Sequence, residues 1–268
     1  MSRDSLLGTF LVATILCVAC SLLVSGAAVV LESQQEANQR LDKKKNVLLA
    51  AGLVEKSAKA KVIDEVYEKN IREIPVDLAT GEVVSEDAAA EGSENMVPVE
   101  PADALMGVRE RPEVLTVYKI VSEEDESLQG YIFPVEGKGL WSTLQGFLAL
   151  QADGQTVRGI TFYKHAETPG LGGEVDNQKW KDSWQGKKVY GEEGDVELDV
   201  IKGTASNEYQ VDGLSGATIT SNGVDGIVEY WLGENGFGPF IKSQESPAQE
   251  ARKSADKPKP VLASVSAR

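Results

Sequence analysis

Histidine and cysteine are nearly absent from this chain: one of the former and two of the latter in 268 residues. A single imidazole cannot build a His-rich metal site. Two thiols supply neither a disulfide framework nor a zinc site of the paired CxxC type. Basic residues are in deficit too, with 27 Lys and Arg against 42 Asp and Glu, a formal charge of −15. That balance argues against nucleic-acid binding, which needs a basic face to replace phosphate counterions. No GxGxxG fingerprint occurs and strands do not alternate regularly with helices, so a Rossmann domain is not expected. The apolar fraction of 41% is modest but can still form a core. At roughly 150 residues per domain, the length allows one sizeable domain or two small ones.

What is present begins with a run from Leu6 to Leu31 that contains no charged residue. At about 1.5 Å per residue such a helix exceeds the roughly 30 Å hydrocarbon core of a bilayer, so residues 1–31 are expected to be a membrane anchor in contact with lipid. Ser25-Gly26-Ala27 resembles a signal-peptide cleavage site, but a signal core is normally about 7–15 residues long. A lipoprotein signal ending at Cys20 is the other alternative, and Cys17 stands where such signals usually carry Leu. Arg3 precedes the span, whereas Arg40, Lys43, Lys44 and Lys45 follow it among acidic residues. A literal positive-inside count would put the large domain in the cytoplasm, but the spacing leaves the side open.

Beyond the anchor, residues 32–51 read as a polar helix that turns apolar at Val47, Leu48 and Leu49, with Gly52 as its stop. Val62, Ile63, Val66 and Tyr67 mark one face of a second helix. Residues 82–106 hold seven acidic side chains and no basic one, and are expected to form an acidic loop. Strands are predicted over 114–121, 131–135, 147–151 and 156–163, the last two flanking the hairpin signal Asp153-Gly154. Val224, Ile227, Val228, Trp231 and Leu232 have the spacing of an amphipathic helix, stopped at Gly233 and Gly236. Residues 243–268 are polar and Pro-containing and read as a disordered tail. The expected fold is therefore α+β, with a mostly antiparallel sheet and flanking helices.

Three clusters stand out: Gly137 to Ser142 around Trp141, His165 to Gly173, and Asp212 to Thr218 followed by Thr220 and Ser221. Each one alone could be a turn, since Gly supplies positive φ, Pro fixes φ, and Ser or Thr caps helices. The third also places a hydroxyl beside a helix N-terminus, where free amides and the helix dipole favour a phosphate. Residue patterns alone name no ligand.

Ser215-Gly216-Ala217-Thr218, preceded by Asp212 and Leu214, resembles the motif of the FMN-binding domain family whose last Thr takes FMN through a phosphoester bond. Glu167-Thr168-Pro169-Gly170-Leu171-Gly172 is similar to that family's second signature. Gly139-Leu140-Trp141-Ser142, Phe147 to Leu150 and Gly159 to Tyr163 resemble one branch, the C subunits (NqrC) of the Na⁺-translocating NADH:quinone reductases. The resemblance covers residues 1 to about 240. It implies covalent FMN on Thr218, attached by a flavin transferase, in an extracytoplasmic domain over residues 32–242. It further implies a single-pass protein of the bacterial inner membrane with its large domain in the periplasm. Its partners would be subunits A, B, D, E and F of a six-subunit complex. In such a complex NqrC relays single electrons between an iron–sulfur centre and a flavin on the B subunit, with no NADH site of its own; quinone reduction and sodium export occur elsewhere.

Trp141, Thr168 and Leu171 are the expected ring contacts, and Glu167 and His165 candidate electrostatic tuners. Asp212 is assigned either to transferase recognition or to an Asx turn, and Thr220 to helix capping. No acid–base residue and no metal ligand is expected. The G subunit of the related Rnf complex, or an exported FMN-binding module outside any respiratory complex, is the alternative.

Overall fold

The computed structural model describes residues 6–101, 104 and 107–244. These divide between Lys45 and Asn46 into two compact units. The first unit belongs to a single long helix, α1 (Leu6–Ala50). Along its apolar part Phe10, Ile15, Leu22, Val24 and Val30 are all strongly exposed. A helix that is apolar on every side, with no protein packed on it, is suited to lipid rather than water. It is the one helix among the described residues that is long and apolar enough to cross a membrane. The polar helix expected over 32–51 is the continuation of α1 rather than a separate element. It ends at Gly52, whose φ is +66°. There Leu53 N–H donates to Leu48 O and Gly52 N–H to Leu49 O, a Schellman stop.

The second unit is built on a five-stranded sheet in the order β1-β4-β5-β6-β7. The strands are β1 (Ile71–Asp77), β4 (Val114–Val121), β5 (Leu128–Lys138), β6 (Thr143–Gln151) and β7 (Val157–Lys164), every pair antiparallel. β4 to β7 form a meander, and Asp153-Gly154 turns the last hairpin: the Asp153 carboxylate accepts from Gln155 N–H and Thr156 N–H. β1 was not expected from sequence. It carries Pro75 and lies at the sheet edge, where a missing N–H is tolerated.

Side chains from both sheet faces are buried. Phe133 and Val135 of β5 join the main core with α5 (Thr218–Leu232), through Val224, Ile227, Val228 and Trp231. Tyr118 and Phe147 meet edge-to-face with centroids 5.8 Å apart. The end of α1 lies over β7, where an added Cβ at Gly159 would sit 2.6 Å from Ala50 O. Helix α2 (Ala60–Asn70) buries Ile63 and Tyr67 of the expected face, while Val62 is exposed. The short α4 (Gln178–Asp182) follows β7 and buries Trp180.

The acidic stretch 82–106 is not the expected loop over its described residues. Ser85 caps α3 (Glu86–Glu94), with Glu86 and Asp87 in the first turn, where the helix dipole favours negative charge. Gly92 packs against Val114. The chain then pairs β2 (Met96–Pro98) with β3 (Glu110–Pro112) and buries Val99. Composition missed this because the apolar partners come from elsewhere in the chain. Of the expected tail, Ser243 and Gln244 end a helical segment over 238–244; residues 245–268 lie outside the described residues.

Candidate functional site

Two β-turns and one hairpin tip bring the three sequence clusters together. The hairpin tip joins β5 to β6, with Gly139 N–H donating to Ser142 O, and leaves Trp141 66% exposed. After β7, Thr168-Pro169-Gly170-Leu171 forms a turn in which Leu171 N–H donates to Thr168 O and Gly170 has φ +78°. Pro at the second position and Gly at the third suit a type II turn. Leu214-Ser215-Gly216-Ala217 closes in the same way, Ala217 N–H donating to Leu214 O with Gly216 at φ +74°. The two turns touch: a Cβ on Gly216 would lie 3.1 Å from Leu171 Cδ2. Ser221 holds the second turn to α5, its hydroxyl accepting from Leu214 N–H and donating to Ala217 O.

Thr218 is the first residue of α5 and is exposed. The N-cap is Ala217, whose side chain makes no capping hydrogen bond. First-turn amides have no intrahelical partner, so this is an N-terminus open to an anion. Trp141, Leu171 and Ile219 add exposed apolar surface. Beside Thr218 lies a cavity of about 450 Å³ lined in part by Lys202, Gly203, Thr204, Ser215 and Asn222. None of Lys202, Gly203, Thr204 and Asn222 was singled out from sequence. The first three lie in the connection between β8 (Asp199–Ile201) and β9 (Gln210–Asp212), which pair in parallel, and only that pairing carries them to the motif.

The structure gives several of these residues specific partners, and one expected role, helix capping by Thr220, changes. Glu167 is 5% exposed. Its Oε1 accepts from Trp141 N–H at 2.9 Å and Ser142 N–H at 3.1 Å. Oε2 accepts from Leu140 N–H at 3.3 Å and the Thr220 hydroxyl at 2.7 Å. Burial pushes its pKa up, but the Thr220 hydroxyl and the three amides outweigh that and hold it below the usual carboxylate range. These bonds are therefore at full strength above the ordinary carboxylate pKa and fail as pH falls through the depressed folded value. Thr220 is buried and spends its hydroxyl on Glu167, so it does not cap the helix. His165 is engaged with Asp176 at 3.0 Å and accepts from Glu167 N–H. Asp212 accepts from Ala205 N–H at 2.6 Å, closing the connection that carries Lys202. Leu214 is buried in the main core. Thr168, Leu171, Trp141, Ser215 and Gly216 are exposed, like Thr218, and Gly172 and Ala217 are buried. Trp180, Trp184 and Trp231 are core residues.

The comparisons with known proteins agree with this geometry. An FMN-binding domain model matches residues 139–233. The C subunit of the Yersinia pestis Na(+)-translocating NADH-quinone reductase is 40% identical over 250 residues, covering 90% of this chain and 94% of that protein. The chain belongs to the NqrC family. The Pseudomonas aeruginosa member is 42% identical, covering 90% of this chain and 96% of its own length. Among solved structures, Shewanella oneidensis NqrC superposes with a TM-score of 0.71 at 28% identity, covering 78% of this chain and 99% of that one. The Parabacteroides distasonis member gives 0.62 at 28% identity, with 79% and 96% covered. The α+β expectation and the FMN-binding domain are borne out, and NqrC is preferred over the Rnf alternative.

A titratable group behind the site yields a pH prediction. Asp225 of α5 accepts from Val200 N–H at 2.8 Å. Burial, reinforced by neighbouring Asp199 and Glu229, pushes its pKa from 3.8 up to about 6. A raised carboxylate pKa means that the folded state binds the proton more tightly, so this group costs stability at neutral pH. Asp225→Asn keeps the acceptor for Val200 and should stabilise the domain by about 1–2 kcal/mol at pH 7.5. In thermal melts, the gain should shrink as pH falls through about 6 and vanish below the ordinary value of 3.8. A gain equal at all pH values would show that the charge is not its source.

Proposed function

We propose that this chain is a membrane-anchored electron carrier with FMN esterified to Thr218, working within a Na⁺-translocating NADH:quinone reductase. The observation that carries the reading is the exposed Thr218 at an α5 N-terminus whose N-cap, Ala217, offers no capping side chain, on the edge of a cavity of about 450 Å³. The residues fit the group. First-turn amides of α5 and Lys202 suit a phosphate, since both offer positive charge and N–H donors. Trp141 and Leu171 suit a flat apolar ring. Bound FMN would supply the ability to accept and release single electrons, which no side chain here offers. The protein's part is to hold that group, shield one side of it and set the electrostatics around it. Thr218 must stay accessible to a flavin transferase, and Gly216 puts no side chain in the turn before it; Gly213 is a packing glycine, since a Cβ there would lie 2.7 Å from Ile201 O.

When the full chain is made with an active flavin transferase, it should stay fluorescent in SDS and gain the mass of one FMN ester. A colourless, unmodified chain under those conditions would refute the assignment. Partners are taken to be the other subunits of the complex, tested by co-purification with sodium-dependent NADH dehydrogenase activity.

The domain is placed on the periplasmic side, against a literal count of flanking basic residues. Protease added to intact spheroplasts should remove the domain; digestion only after lysis would place it in the cytoplasm.

A further inference from the structure

Glu167 lies within the second family signature and was expected only to tune electrostatics, but the structure also gives it mechanical work. Its two oxygens collect four donors from two segments far away in sequence: the hairpin tip at 140–142 and the first turn of α5. No room is left around it. A Cβ on Gly139 would fall 2.6 Å from Oε1, and one on Gly172 would fall 2.6 Å from Oε2 and 2.5 Å from Thr220 Oγ1. Among the described residues no cation pairs with this carboxylate, so amide and hydroxyl dipoles alone hold the charge. Burying an ion without a counter-ion is expensive, and an apolar contact could join the same segments at lower cost.

We propose that Glu167 is the positioning residue of the site: it locks Trp141, Leu171 and Thr218 into one arrangement and holds a fixed negative charge beneath them. The proposal rests on the FMN reading above. The mechanical half follows from the bonds. Trp141 is held through its own amide, Leu171 through the loop that Glu167 begins, and Thr218 through Thr220 in the same helical turn. The electrostatic half follows from charge. A fixed carboxylate opposes the arrival of an electron nearby and so lowers a reduction potential, and each donor bonded to it softens that effect.

Two substitutions separate the halves. Hydrogen exchange on the flavin-free chain, made without transferase, reads the clamp. Glu167→Gln should speed exchange of the Leu140, Trp141 and Ser142 amides by about tenfold or more, the scale of losing a charge-assisted bond, while the β5–β6 ladder stays protected. Redox titration of the flavin-loaded chain reads the charge. Glu167→Gln should raise the flavin midpoint potential, and Thr220→Val, which leaves the carboxylate one donor short, should lower it. A purely structural role would move both variants the same way or neither. Unchanged exchange at 140–142 would overturn the clamp, and potentials that do not split in sign would overturn the charge role. If Glu167→Gln does not fold, Glu167→Asp takes its place: retaining the charge, it should loosen 140–142 while keeping the potential on the native side. A native chain that takes no flavin from an active transferase would refute the FMN reading and the charge role together, whereas the exchange arm still judges the clamp.

Discussion

Thr218→Ala is expected to abolish covalent flavin completely, while Thr220→Ala keeps it. The two hydroxyls are two residues apart on one helical turn, yet their surroundings are opposite. Thr218 is exposed beside the cavity, and Thr220 is 1% exposed with its proton committed to Glu167. An enzyme that must reach a hydroxyl can reach only the first. Thr220→Ala should instead cost stability, about 1–3 kcal/mol, because a buried carboxylate loses a donor. That exceeds the few tenths expected of an exposed helix position. In-gel fluorescence of both variants made with an active transferase, alongside thermal melts, checks both halves. Fluorescence surviving in Thr218→Ala but absent from Thr220→Ala would move the attachment to the buried hydroxyl.

Gly223→Ala should lower the melting temperature by roughly 2–8 °C, against its local propensity. In an exposed helix, Gly to Ala gains up to about 1 kcal/mol. Here the added Cβ would sit 2.3 Å from Lys138 O and 3.4 Å from Gly139 Cα. Both obstacles are backbone, and Lys138 is paired with Thr143 at the end of the β5–β6 ladder. The obstacle cannot rotate aside as a side chain would, so either α5 or the hairpin tip must shift. Overpacking of this kind costs about 1–3 kcal/mol or more, which outweighs the propensity gain. Because the displaced tip carries Trp141 and is bonded to Glu167, flavin occupancy should fall as well. A variant as stable as the native chain and fully loaded would show that α5 approaches the sheet less closely.

Features decided by local pattern were legible in the sequence. The charge-free run at the N-terminus, the Asp153-Gly154 hairpin and the apolar stripe of α5 each depend on neighbours within a few residues, where side-chain period and turn chemistry act. The Ser215 to Thr218 motif is likewise a local object, a turn feeding a helix. β1 and α3 were hidden, because Pro75 and a surplus of acid argue against order until an edge position, an N-cap and the packing of Gly92 on Val114 supply the compensation. The site as a site belongs to the tertiary structure. Glu167 is 26 residues from Trp141 and 53 from Thr220, and Lys202 reaches the cavity only because β8 pairs with β9. A carboxylate reads in sequence as a charge to be solvated. Only the fold surrounds it with four donors, and that enclosure makes it the centre of the site.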